Sequence, residues 1–148
     1  MARPFVAENA QERGRLISLV SRLTDEELSL PLGNGWTIAA ALAHLAFWDQ
    51  RSLFLMRKWK KSGVELSPID IDLTNDSLLS LWLALPPRTA ADLAVSSAEA
   101  IDRALEEASS DLIAAIEGLG EKFRTYRSIH RKLHLDEIEE LLQKRIRH

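Results

Sequence analysis

Four histidines and no cysteine define what metal or acid-base chemistry this chain can offer. His130 and His134 stand four apart in Ile129-His130-Arg131-Lys132-Leu133-His134, inside a segment whose apolar residues recur at helical spacing. Two imidazoles at i and i+4 lie one above the other on a helix and can converge on one ion. Arg131 and Lys132 turn by about 100° and 200° from His130, so neither cation has to face such an ion. His44 lies far upstream, in an apolar run through Ile38, Leu42, Leu45 and Phe47. On residue chemistry alone each of the three is either a hydrogen-bonded core histidine or a ligand, and both readings place it inside. His148 ends the sequence and is expected in solvent. Three neutral nitrogens around one ion leave positions for water or for a substrate oxygen or sulfur, the arrangement of a catalytic rather than a structural site. Zinc, nickel, manganese or iron are all compatible with such a set. Neutral ligands also predict that metal affinity falls as pH drops through the imidazole range near ~6.5.

Other residues give weaker signals. Stepping along a helix places Thr37, Ala41, His44, Trp48, Arg51 and Leu55 on one ridge. Arg51 is there either solvated or in reach of an anionic group of a substrate. Asp49 is rotated by about 140° from His44 and is expected to pair elsewhere. No carboxylate stands out as a general base, and the catalytic residues cannot be assigned. The sequence has no glycine-rich phosphate loop, no Gly-x-Ser-x-Gly elbow and no His-Glu-x-x-His, which disfavours phosphoryl transfer, serine hydrolysis and zincin chemistry.

The elements that must position these residues read as all-α. A first amphipathic helix spans Val6 to Leu23, followed by the capping-box pattern Thr24-Asp25-Glu26-Glu27 and a connector broken at Pro31 and Gly33-Asn34-Gly35. Thr37 caps a second helix from Ile38 to about Lys61. The cations around Trp59 match a last helical turn before Gly63 better than a nucleic-acid patch. Val64 to Leu73, with Pro68, is a long connection, and Asn75-Asp76-Ser77 reads as a turn and helix cap. A short helix then runs to Leu85, before Pro86-Pro87. Its dense apolar set, Leu78, Leu79, Leu81, Trp82, Leu83 and Leu85, plugs one end of the bundle, walls a pocket or forms a dimer contact. Thr89 to Leu119 is helical, with Leu93, Ile101, Leu105, Leu112, Ile113 and Ile116 as core candidates and Ser96-Ser97 and Ser109-Ser110 as candidate bends. The last helix begins after Phe123, with Ile129, Leu133, Ile138, Leu141, Leu142 and Ile146 toward the core.

At 148 residues, with 46% hydrophobic and 28% charged content, the chain is expected to form one domain over residues 1–148 with its own core. A formal net charge of −3 offers no general attraction to nucleic acid. The N-terminal Met-Ala-Arg-Pro-Phe lacks the basic and apolar segments of a leader, and no run reaches membrane-spanning length. The expected location is cytoplasmic, with no membrane partner.

Arg22-Leu23-Thr24-Asp25-Glu26-Glu27-Leu28, the stretch from Trp36-Thr37 through His44-Leu45, and Trp48-Asp49 together resemble the N-terminal half of the DinB/YfiT-like superfamily, which includes the mycothiol-dependent maleylpyruvate isomerase N-terminal domain. The resemblance implies a four-helix bundle whose metal is held by one histidine on the second helix and two on the last, positions matched by His44, His130 and His134. It also implies thiol transfer, isomerisation or hydrolysis on a small-molecule substrate, with a low-molecular-weight thiol among the partners, and a homodimer. A non-catalytic small-molecule-binding or scaffold protein on the same bundle is the alternative. The dimer contact expected from sequence centres on Leu79 and Trp82.

Overall fold

The computed structural model describes residues 3–146, so His148 lies outside the described residues. Among them are seven α-helices and one two-stranded hairpin. Helix α1 (Pro4–Arg22) begins with proline in its first turn, where the missing N–H costs no bond. The capping box forms as expected: Glu27 N donates to Thr24 Oγ1 at 3.1 Å and Thr24 N donates to Glu27 Oε1 at 3.0 Å, starting the single turn α2 (Asp25–Leu28).

The connector is more ordered than the sequence suggests. Pro31–Gly33 (β1) pairs antiparallel with Trp36–Thr37 (β2). The reversal needs positive φ at Gly33 (112°), Asn34 (54°) and Gly35 (83°), which two glycines and an asparagine tolerate. Thr37 then caps α3 (Ile38–Ser62), accepting from Ala40 N at 3.0 Å.

Helix α4 (Ile71–Ala84) starts four residues earlier than the sequence reading has it. Asp70 is its cap, with Leu73 N donating to Asp70 Oδ1 at 3.0 Å, and Asn75 is an interior residue rather than a cap. The long helix breaks at Ala108 and Ser109 into α5 (Pro87–Glu107) and α6 (Ser110–Glu117), the latter capped by the Ser109 hydroxyl; Ser96 and Ser97 make no break. A 3₁₀ turn (Lys122–Arg124) leads into α7 (Ser128–Ile146).

Helices α1, α3, α5 and α7 form the bundle, with α3 and α5 in the most extensive contact. Small side chains meet there, Ala39, Ala40 and Ala43 of α3 in one cluster with Ala90, Ala91, Ala94 and Ala98 of α5, which lets the two helices approach closely. Trp59 is buried and donates Nε1–H to the Glu65 carbonyl, so the cations around it flank a core residue at the end of α3.

The core is two apolar clusters rather than one. The first gathers Leu16, Leu19, Leu28, Ile38, Leu42, Leu45, Leu135 and Ile138, and the second Phe5, Leu53, Met56, Trp59, Ile101, Leu105, Ile113 and Ile116. Along every bundle helix the boundary between them carries buried polar residues: Asn9 on α1, Asp49 on α3, Asp102 on α5, and Arg131 on α7 with Arg127 just before it.

Several core assignments from sequence are corrected. Ile129, Leu133 and Ile146 are exposed, as is Leu93 on α5. The buried stripe of α7 is Ser128, Arg131, Leu135 and Ile138, because ion pairs allow a guanidinium to occupy the inward position that the apolar pattern would have given to leucine or isoleucine. Trp82 is also inside rather than on a docking face; the apolar residues that α4 exposes are Ile71, Leu73, Leu81 and Leu83.

Candidate metal centre

His44 reaches the site from the second turn of α3, where the Thr37 cap fixes the start of the helix. His130 and His134 come from the first two turns of α7, whose start is held by Asn9: its Oδ1 accepts from Ser128 N at 2.9 Å, and its Nδ2 donates to the Thr125 carbonyl at 2.8 Å. The three rings form a nearly regular triangle, with centroids 4.8, 4.9 and 4.8 Å apart and steep interplanar angles. Their Nε2 atoms point at one another, His44 to His130 at 2.9 Å and His134 to His130 at 3.2 Å. His44 is buried, while His130 and His134 are half-buried at the edge between α7 and α3.

A neutral imidazole carries one N–H and one lone pair. The single hydrogen or lone pair at His130 Nε2 cannot be well aligned with two other Nε2 atoms at once, so hydrogen bonding alone leaves the triangle poorly satisfied. A divalent ion held among the rings would accept all three lone pairs. Metal–nitrogen bonds of about 2.0–2.1 Å would set the nitrogens of one ion roughly 3 Å apart, the spacing of the His44–His130 and His134–His130 pairs, and all three ligand atoms lie within 4.8 Å of one another.

The protonation states agree with this. Burial, reinforced by the nearby His134, pushes His44 down to about 4, with the Asn75 amide opposing. Burial pushes His130 down to about 2, aided by His134, His44, Arg127 and Arg131. Burial lowers His134 as well, with Glu137 opposing. All three are therefore neutral at pH 7, the form that ligates. The buried Nδ1 atoms of His44 and His134 have no hydrogen-bond partner, and Glu137 Oε1 stands 3.5 Å from the latter.

Aromatic rings wall the triangle. Trp36 of the hairpin and Trp82 of α4 each contact His44 edge-on with centroids 5.3 Å away, and Phe47 packs on Trp82. Trp48 Nε1 donates to Asn75 Oδ1 at 2.9 Å, which ties α4 to α3 beside the site. Of the apolar cluster on α4, Trp82 is the member buried in the first core cluster, against His44.

Arg131 and Lys132 both turn away from the imidazoles. Lys132 reaches solvent and Asp136, whereas Arg131 enters the core. Asp49 does pair elsewhere, accepting from Arg127 Nε at 2.9 Å and Arg131 Nη2 at 3.2 Å. Arg51 is not brought to the triangle; its Nη2 donates to the carbonyl and hydroxyl of Ser67, at 2.9 and 3.2 Å.

A family model of the DinB superfamily matches residues 8–148. The chain belongs to the DinB superfamily. No curated protein and no solved structure shows significant similarity to it. The match takes in both α3 and α7, and so spans the whole triangle. No helix among the described residues of this DinB-superfamily chain is long and apolar enough to cross a membrane. Trp36, Asn75 and the buried Arg131 were missed as site or support residues in the sequence, whereas Trp82 was placed in a cluster whose role was left open. The tryptophans lay in plain view, but nothing in local spacing says that the hairpin and α4 fold back over His44.

Proposed function

We propose that this chain binds one divalent metal ion through His44, His130 and His134 and uses it in thiol transfer, isomerisation or hydrolysis on a small molecule. The observation that carries this reading is the convergence of three neutral, otherwise unsatisfied Nε2 atoms. A metal held there lowers the pKa of a bound water or thiol, making a nucleophile available at neutral pH. The half-exposure of His130 and His134 supports access from the α7 side, while Trp36 and Trp82 keep water from the α3 side. Arg51, held on Ser67 away from the triangle, would meet an anionic group only of a substrate that extends beyond the metal. The burial of His44 beneath two tryptophans is the observation that favours the second reading, a non-catalytic binding or scaffold protein.

Metal analysis of protein purified without a histidine tag tests the metal. One ion per chain is expected in the wild type and none in the His44→Ala, His130→Ala double variant; equal contents would overturn the site. For the cobalt-loaded protein, a change in the visible spectrum on adding 2-mercaptoethanol supports an open position and the catalytic reading. An unchanged spectrum favours the scaffold.

The exposed α4 residues Ile71, Leu73, Leu81 and Leu83 support a homodimer. Leu81→Gln with Leu83→Gln should shift sedimentation toward monomer at unchanged helicity, and a wild type that sediments as a monomer at high concentration would reject the dimer.

A further inference from the structure

His130 is followed directly by the most deeply buried charge of the described residues. Arg131, 1% exposed, holds both oxygens of Asp102, Nη1 to Oδ2 and Nη2 to Oδ1 at 2.8 Å each. The same guanidinium donates to Asp49 Oδ2 at 3.2 Å and to the Asn9 carbonyl at 3.2 Å. Arg127 Nε completes Asp49 from the other side, and Arg13 Nη1 completes Asp102 at 2.6 Å. The group therefore joins all four bundle helices in one stratum between the two apolar clusters.

Its placement relative to the histidines is specific. Asp49 stands five residues after His44 on α3, and His130 is flanked by Arg131 on α7 and by Arg127 just before that helix. The two helices that must bring the histidines together are thus bonded to each other within about a turn of the Nε2 atoms. Elsewhere α3 and α7 pack sparsely, α7 resting mainly on α1. Apolar contact tolerates sliding, whereas a planar guanidinium gripped by two carboxylates fixes both the height and the rotation of the helix that carries it.

We propose that Arg131, clamped by Asp49 and Asp102, is a positioning residue for the three-histidine group, setting α7 against α3 at the height where the three Nε2 atoms converge. Its effect on metal binding rests on the reading under Proposed function, whereas its effect on the imidazoles does not.

The test titrates untagged wild type, Arg131→Met, Arg131→Lys and Arg15→Met with Co²⁺, reading the dissociation constant and the visible spectrum. In Arg131→Met, Asp102 keeps Arg13 and Asp49 keeps Arg127, so the helical circular dichroism should persist. Affinity should fall roughly 10–100-fold, the range for residues that orient ligands, and the spectrum should change. Arg131→Lys, charged but without the fork, should fall between. Arg15→Met removes two α1–α7 ion pairs on the outer face of α7 and should match wild type.

A folded Arg131→Met with wild-type affinity and spectrum overturns the proposal. If that variant does not fold, Asp49→Asn takes its place, with weakened Co²⁺ binding expected and wild-type binding overturning the proposal. A wild type that binds no Co²⁺ overturns the metal reading instead. The imidazole ¹⁵N resonances of the metal-free protein then decide: those of His130 and His134 should move in Arg131→Met and not in Arg15→Met, and unmoved resonances overturn the positioning role.

Discussion

Two polar layers lie within about a turn of each other on α7, and they differ in how completely the protein satisfies them. In the guanidinium–carboxylate layer both carboxylates are doubly paired, Asp49 with Arg127 and Arg131 and Asp102 with Arg13 and Arg131, and Arg131 Nε alone of its groups has no partner. In the histidine layer, three Nε2 atoms compete for one another and two buried Nδ1 atoms have no partner. Buried polar groups that are paired hold a fold together, whereas groups left incomplete mark a place where something else binds. One helix carries both because successive residues point 100° apart: His130 turns to α3 and Arg131 to the centre of the bundle.

The largest expected effect breaks the satisfied layer. Asp102→Ala leaves Arg131 dependent on Asp49 alone and removes the partner of Arg13. An uncompensated buried charge costs about 3–5 kcal/mol, and urea unfolding of the metal-free protein should show a loss of that size. A loss under about 1 kcal/mol would mean that water or rearrangement replaces the carboxylate, and that the layer is less closed than its distances indicate.

The contrast also explains which parts were readable from sequence. The four bundle helices, the Thr24 and Thr37 caps and the His130/His134 pair were legible because each rests on local spacing: a 3.6-residue period, a cap three residues from its partner, an i, i+4 step. The inward face of α7 was not, because its stripe contains Ser128 and Arg131 while Ile129, Leu133 and Ile146 point outward. Only the long-range partners Asp49 and Asp102 make an inward arginine favourable, and hydrophobic periodicity does not contain them. Trp82 was misplaced for a related reason. The apolar residues of α4 outnumber what one face can bury, and only the fold says that Trp82 is the one turned toward His44.

The next effect sharpens the comparison through pH. Each histidine of the triangle has its folded pKa below the unfolded value near ~6.5. Between those values the unfolded chain binds more protons, so stability is fully present above ~6.5 and declines as pH falls toward about 4, where His44 itself takes up a proton. Thermal unfolding of the metal-free protein should record a loss on the order of 2 kcal/mol over that window, after allowing for relaxation of the site. The decline should be shallower in His44→Leu, which removes one of the three groups. The same depression corrects the expectation that metal affinity falls through ~6.5: with the protons already displaced by burial, affinity should hold until the pH is well below the ordinary imidazole range. A full-sized decline in His44→Leu would assign the pH dependence to other groups.

The smallest effect belongs to a third set of charges on α7, the solvent-facing counterpart of the buried layer. Arg15 on α1 donates to Asp136 at 2.7 Å and to Glu139 at 3.0 Å, so two bundle helices, α1 and α7, are bridged by the same guanidinium–carboxylate chemistry. The difference is water: Asp136 is exposed and Glu139 and Arg15 are half-exposed, and ion pairs that solvent reaches contribute only about 0–1 kcal/mol because water competes for both partners. Arg15→Met should therefore cost under about 1 kcal/mol, and 0.5 M NaCl should erase most of the difference from wild type by screening the pairs. The penalty in Asp102→Ala, arising where salt does not reach, should survive the same salt. A salt-resistant loss of several kcal/mol in Arg15→Met would show that bridging α1 and α7 is what matters, and burial would no longer separate the two sets.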